Sequence, residues 1–349
     1  MAFTTVNKST DYFKTTLWTG DGNSTQNITG TGFNADFIWL KGRSGAGDHQ
    51  QYDQVRGAQK MIVSNSTNAE STNSIGLTAF GSDGFTMGSD MTGSASTFVS
   101  WNWKAGTTSV PSGGTITPSA VSLNATAGFG IYKYTGTGSA GTIAHGLGSA
   151  PRFIIVKKTN TTGDWRLYYN PRAGINGQEG RAIRFDTNGF STDSTFWNGT
   201  AATSTVFSLG THTDTNGSGA TFIAYAFADV VGYQKFCGWY ANANSDGPFI
   251  YTGFRPAFFM MFNINNSGRF MIADNTRNVT NEIDKKLAPH NNNAEATTGD
   301  IACDLLSNGI KIRGGSTSDA NHTNLNMMYG LAIAESPLVG SNNIPNNAR

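Results

Sequence analysis

Two short charged clusters stand out in a chain that carries few charges. Asp53-Gln54-Val55-Arg56 and Asp274-Asn275-Thr276-Arg277 each put a carboxylate three residues before a guanidinium. Asn68-Ala69-Glu70 and Asn293-Ala294-Glu295 follow them at similar distances, and Asn170-Pro171-Arg172 is a looser copy in between. An Asp and Arg so close form a bidentate pair that pins a turn. Glu70 then completes a network with Arg56, and Glu295 with Arg277. A recurring buried pair of this kind reads as scaffold, and the functional alternative is a repeated ligand pocket.

The remaining candidates for chemistry are sparse. His49, His145, His212, His290 and His322 never fall at a metal-ligand spacing and read as surface or turn residues. No serine sits in a nucleophile elbow, and no carboxylate pair recurs in equivalent positions as in a glycosidase-like repeat. Gly136-Thr137-Gly138-Ser139-Ala140-Gly141 spells the dinucleotide fingerprint, but Thr142-Ile143-Ala144-His145-Gly146 cannot open the helix that fingerprint needs. The loop Asp214 to Gly219 offers oxygen ligands without the closing glutamate of a calcium-binding loop. Cys237 and Cys303 are too few for a disulfide framework and read as free thiols. Trp165, Tyr169 and Trp197 lie outside the strand pattern and would stack on sugar rings if exposed, with core packing as the alternative. The expectation is of no catalytic residue, no metal and no cofactor.

The elements that position these residues come from a repeat. Leu17-Trp18-Thr19-Gly20 is answered by Lys133-Tyr134-Thr135-Gly136, and by Trp239-Tyr240 with the later Tyr251-Thr252-Gly253. The run Phe33 to Lys41 returns as Ser149 to Lys157 and as Phe254 to Met261. Turns follow at Asp83-Gly84-Phe85, Asn188-Gly189-Phe190 and Asn308-Gly309-Ile310, dipeptides favoured where a tight hairpin needs positive φ. Each copy closes on an alternating strand: Phe98 to Trp103, Phe222 to Phe227 and Met327 to Ala332.

The apolar runs are short, rich in β-branched and aromatic residues, and bounded by turn residues, so the class is all-β. Only Thr280 to Leu287 has room for a helical turn or two. Three tandem antiparallel β-sandwich units, jelly-roll-like, follow. Their boundaries fall at an arm 1–16, units 17–106, 129–236 and 237–336, a linker 107–128 and a tail 337–349.

Only 13% of the 349 residues are charged, the formal net charge is +1, and glycine reaches 43 residues. Such a neutral, hydroxyl-rich surface cannot neutralise a phosphate backbone, so nucleic acid is not an expected partner. The N-terminus lacks the pattern of a signal peptide and no apolar run is long enough for a membrane helix, which implies synthesis in the host cytoplasm without membrane insertion.

The segments Met1 to Phe13, Trp101 to Gly106, Tyr225 to Val230 and Leu338 to Pro345 resemble a family of marine phage virion proteins described as tail-fibre or structural proteins. The likeness covers nearly the whole chain, with tandem Y-T-G-x-G and G-F-x-P-x-F elements. Cys237, where glycine is expected, and the thinned second Asp/Arg element depart from it. The resemblance implies a virion component that is not an enzyme. A tail-fibre or spike protein binding the host surface is the leading expectation, and a capsid decoration or head-fibre protein the other. Its partners would be other virion proteins, further copies of the chain in a homo-oligomer such as a trimer, and a host surface glycan.

Overall fold

A computed structural model describes residues 4–170, 181–185, 190–263, 270–322 and 326–337. The chain is all-β, and its strands are antiparallel throughout the large sheets. Alternating aromatic and β-branched residues form the strands, as the sequence pattern requires.

Three large sheets share one strand order. In the first, Phe13–Thr19 pairs with Thr97–Trp103, which pairs with Phe37–Gly42 and then Gln50–Asp53. The second sets Phe129–Thr135, Thr221–Ala228, Pro151–Lys158 and Arg166–Tyr169 in the same sequence. The third does so with Gln234–Tyr240, Met327–Ala334, Pro256–Asn263 and Phe270–Asp274. The ladders agree residue by residue: Trp101 lies opposite Trp39, Tyr225 opposite Ile155 and Leu331 opposite Met260. A smaller sheet accompanies each, and in all three an isoleucine faces an apolar partner, as Ile28 with Phe85, Ile143 with Phe207 and Ile250 with Ile310.

Each large sheet is buried on both faces. Ile38 and Leu40 point into a core shared with the first small sheet, while Phe37 and Trp39 point the other way. Likewise Ile154 and Val156 face the second small sheet, and Phe153 and Ile155 turn from it. The residues turned away meet in one central aromatic core. Phe37 stacks on Tyr225 at 4.4 Å, Phe13 meets Phe258 at 5.3 Å, and Phe153 meets Phe262 at 5.9 Å between ring centres. Every pair of large sheets is therefore in direct aromatic contact, which explains runs such as Phe222–Ala228 in which no residue is solvated.

Several local expectations change. Within 107–128, Ala120–Asn124 forms a strand that covers the edge of the second large sheet, and Ile116 is buried. Thr280 to Leu287 holds no helix, and Lys285–Lys286 instead pairs with Ala296–Thr297. Gly84 has the positive φ expected of it, at +148°, and the hairpin glycines also serve close approach. The loops are Ser82-Asp83 and Ser307-Asn308, closed by Gly81 opposite Gly84 and Leu306 opposite Gly309. A Cβ on Gly84 would sit 1.9 Å from the Ile28 carbonyl oxygen, and one on Gly309 2.3 Å from that of Ile250. Asn188-Gly189 lies outside the described residues, and the strand Phe190–Thr192 that follows pairs with Arg181–Ile183 in the large sheet. The place of Phe85 and Ile310 is taken there by Phe207.

A shared core makes the three sheets one cooperative unit. Denaturant unfolding should give a single transition, coincident by near- and far-ultraviolet circular dichroism. Phe153→Ala, in the centre, should lower the stability of the whole by about 3–5 kcal/mol. Two separated transitions, with only one moved by the substitution, would show that the sheets fold independently.

Candidate functional site

The Asp/Arg clusters sit where one large sheet meets the next. Asp53 and Asp274 end equivalent strands, opposite Phe37 and Phe258. In each turn one carboxylate oxygen accepts the backbone N–H of the arginine three residues on, at 2.8 Å. The other oxygen accepts the guanidinium Nε, at 2.5 Å for Arg56 and 2.6 Å for Arg277. The expected bidentate fork is thus replaced by one bond to the turn and one to the side chain. The remaining guanidinium nitrogens reach carbonyls of the same unit, Gln51 and Lys60 for Arg56 and Ile272 for Arg277. Glu70 and Glu295 lie 3.3 and 3.1 Å from their arginines, as the spacing implies.

The donors that complete these stations come from neighbouring sheets. The Tyr225 hydroxyl of the second sheet donates to Asp53 at 2.6 Å, and the Trp101 indole of the first donates to Asp274 at 3.1 Å. Tyr225 and Trp101 occupy the same ladder position, so one contact is built twice, the second sheet completing the first unit and the first sheet the third. Glu70 reinforces this by donating its backbone N–H to Thr159, and Glu295 does the same to Arg43, whose guanidinium also holds the Glu295 carboxylate. Burial would raise Glu295, yet Arg43 and Arg277 together hold it below its ordinary value.

The remaining junction has changed character. Tyr169 stands where the other units have the aspartate, opposite Phe153, and Leu331 stands in the donor position. Tyr169 instead packs on Tyr329, 4.8 Å between ring centres. Pro171 and Arg172 of the loose third element lie outside the described residues.

Other sequence candidates resolve into structure. Trp165, Tyr169 and Trp197 are only 0%, 0% and 1% exposed, so none is available to stack on a ligand. Trp165 donates its indole to the carbonyls of Val63 and Ser66, and Trp197 to that of Arg181. His49 and His145 are buried, contrary to a surface reading. His49 Nδ1 accepts the Trp39 indole, so the neutral ring carries its proton on Nε2. Burial, with Lys41, His290 and Arg277 nearby, pushes His49 well down. Asp214 lies in a short helix, Thr213–Asn216, where it pairs with Arg166 and Lys158. Among the described residues no group of three or more His, Cys, Asp or Glu side chains could hold a metal ion. Both cysteines are free and buried, and burial pushes the Cys237 thiol up to about 12, so it carries no nucleophilic thiolate at neutral pH.

Sequence reasoning did not single out a groove on the third unit. It lies between Gln234–Tyr240, the edge strand of its large sheet, and Phe249–Tyr251, the edge strand of its small one. Its volume is about 530 Å³, and Tyr240, Phe249 and Tyr251 are 58%, 46% and 58% exposed. Lys235 donates to the Tyr251 carbonyl and sits 4.9 Å over its ring. Tyr240 and Tyr251 were visible in the sequence as repeat anchors, but their exposure was not.

Residues 8–337 match the model of a family described as a domain of unknown function, DUF7483, and the chain belongs to that family. No curated protein and no solved structure matches it. No helix among the described residues is long and apolar enough to cross a membrane.

The stations predict specific losses of stability. Asp53→Ala strands a buried guanidinium and should cost about 3–5 kcal/mol. Tyr225→Phe removes one bond to a carboxylate and should cost roughly 1.5–3 kcal/mol, read from denaturant midpoints. His49 predicts a pH dependence. Neutral when folded and titrating near 6.5 when unfolded, it lets the unfolded chain take up a proton the folded chain refuses. Stability should therefore be full above that pH and fall as pH drops through it, by up to about 1.4 kcal/mol per unit. His49→Gln, which can still accept from Trp39, should flatten that slope by one proton between pH 7 and 5.

Proposed function

We propose that this protein is a virion component of a phage, a tail-fibre or spike subunit that attaches the particle to the host surface, and that it is not an enzyme. The observation that carries the reading is the distribution of polar and aromatic groups. The Asp/Arg/Glu clusters are consumed in holding the units together, while among the described residues the one cluster of exposed aromatic rings lies on the edge of a single unit. A rigid scaffold with one sticky edge suits adhesion better than turnover. The low charge, the hydroxyl-rich surface and the sequence resemblance support the same class. We take the recurring strand order to reflect three diverged copies of one unit, of which the third is specialised.

Capsid decoration or head-fibre attachment is the second reading, since adhesion to a shell asks for the same rigid scaffold. Immunogold labelling of particles separates the two. Label on the tail or spike is the expected result, label confined to the head selects decoration, and particles without label overturn both. Assembly into a homo-oligomer, with a trimer as the first expectation, belongs to the proposal. Native mass spectrometry should give a multiple of 37.1 kDa. A single-chain mass would mean that the three sheets of one chain already supply the threefold arrangement.

A further inference from the structure

The ladders allow the third unit to be compared with the other two position by position. Tyr240 faces Met327 where Thr19 faces Thr97 and Thr135 faces Thr221. Phe249 stands in the register of Asn27 and Thr142, and Tyr251 in that of Thr29 and Ala144. At three neighbouring positions, small or polar residues in two copies are large aromatic residues in the third, and all three rings are substantially exposed. Phe249 covers Gly309 and Tyr251 carries Lys235 over its ring, but these contacts leave about half of each ring in solvent.

A second difference lies in the wall of the same groove. Trp18, Tyr134 and Trp239 occupy one ladder position, opposite Phe98, Phe222 and Met328. Trp18 donates its indole to the Met91 carbonyl and Tyr134 its hydroxyl to that of Thr215. Trp239 is 7% exposed, yet among the described residues its indole N–H has no acceptor. A buried donor left unpaired is unfavourable to the fold. The Trp239 Nε1 is enclosed in the wall, so what the groove meets is the indole ring beside the three exposed rings.

We infer that the groove between Gln234–Tyr240 and Phe249–Tyr251 is a saccharide-binding site. Sugar rings offer apolar C–H faces to the rings of Tyr240, Phe249 and Tyr251. A volume of about 530 Å³ suits a small ligand or a segment of a chain. Lys235 forms no salt bridge with a described carboxylate, and it adds a cation at the rim for the carboxylate of an acidic sugar. The inference rests on the reading of the protein as a surface-attachment protein, and it names what that attachment recognises.

The test is isothermal titration of the full chain with hexasaccharides of β-1,4-linked glucose, of N-acetylglucosamine and of uronic acid, alongside native mass. At least one should bind. Tyr240→Ala and Tyr251→Ala, exposed and so neutral to folding as checked by thermal midpoint, should each weaken binding about tenfold, or 1.4 kcal/mol. Ile75→Ala, an exposed residue of the first unit, should leave it unchanged. Lys235→Met should weaken only the acidic sugar. Absence of binding to all three probes overturns the inference, as does binding that survives the tyrosine substitutions. If those substitutions alter native mass instead, the groove is an interface between copies of the chain and the inference also fails. None of these failures moves gold label off the particle, so the attachment reading is tested separately.

Discussion

Three large sheets give one face each to a common aromatic core, and most other features follow from that constraint. A sheet with one face in the centre and the other under a small sheet has no solvated side, so its strands must be apolar at nearly every position. Polar donors that occur on them find carbonyls and hydroxyls close by. Asn102 donates to the Lys14 carbonyl and to Ser100, and the buried Lys41 ammonium donates to the Gly42 carbonyl. Burial pushes Lys41 down to about 8, which marks how little water reaches this level of the fold. Charge can then enter the junctions only as closed groups, and the Asp/Arg turns, with each acceptor and donor occupied, have that form.

Closed polar groups also set orientation. The aromatic contacts of the central core tolerate sliding, whereas a tyrosine hydroxyl 2.6 Å from a carboxylate does not. The two polar junctions therefore fix how the second sheet meets the first and the first meets the third. The aromatic junction, with Tyr169 on Tyr329, is held in register by the closure of the other two. This explains how the aspartate and its aromatic donor could both be absent from that junction while the strand order persists. An aspartate kept at the place of Tyr169, opposite a sheet that offers Leu331, would lack the aromatic donor it has at the other two junctions.

The strands, the all-β class and the Asp/Arg/Glu groupings were legible in the sequence, because each depends on neighbours close in the chain. The alternation in Phe98 to Trp103 and the spacing of Asp53 and Arg56 are local signals. What was hidden depends on partners far away. Trp165 and Trp197 look like loop aromatics until their indoles are seen on carbonyls of distant segments, and His49 looks like a loop histidine until Trp39 is found donating to it. Phe190, which follows Asn188-Gly189 in sequence, pairs with Ile183 in the large sheet. The ladder gives the place that Phe85 and Ile310 hold to Phe207, a residue with no turn signature.

Three sheets of one strand order also supply an internal comparison. Where the three agree, as at Ile28, Ile143 and Ile250, packing explains the residue. Where one copy departs inside the core, as at Tyr169 and Leu331, a compensating partner is found within contact. The departures at Tyr240, Phe249 and Tyr251 are compensated only in part, since Phe249 covers Gly309 and Tyr251 carries Lys235 while all three rings stay exposed. Exposure beyond what these contacts require points to a partner outside the chain. The edge of the third unit is the part of this surface where that argument applies.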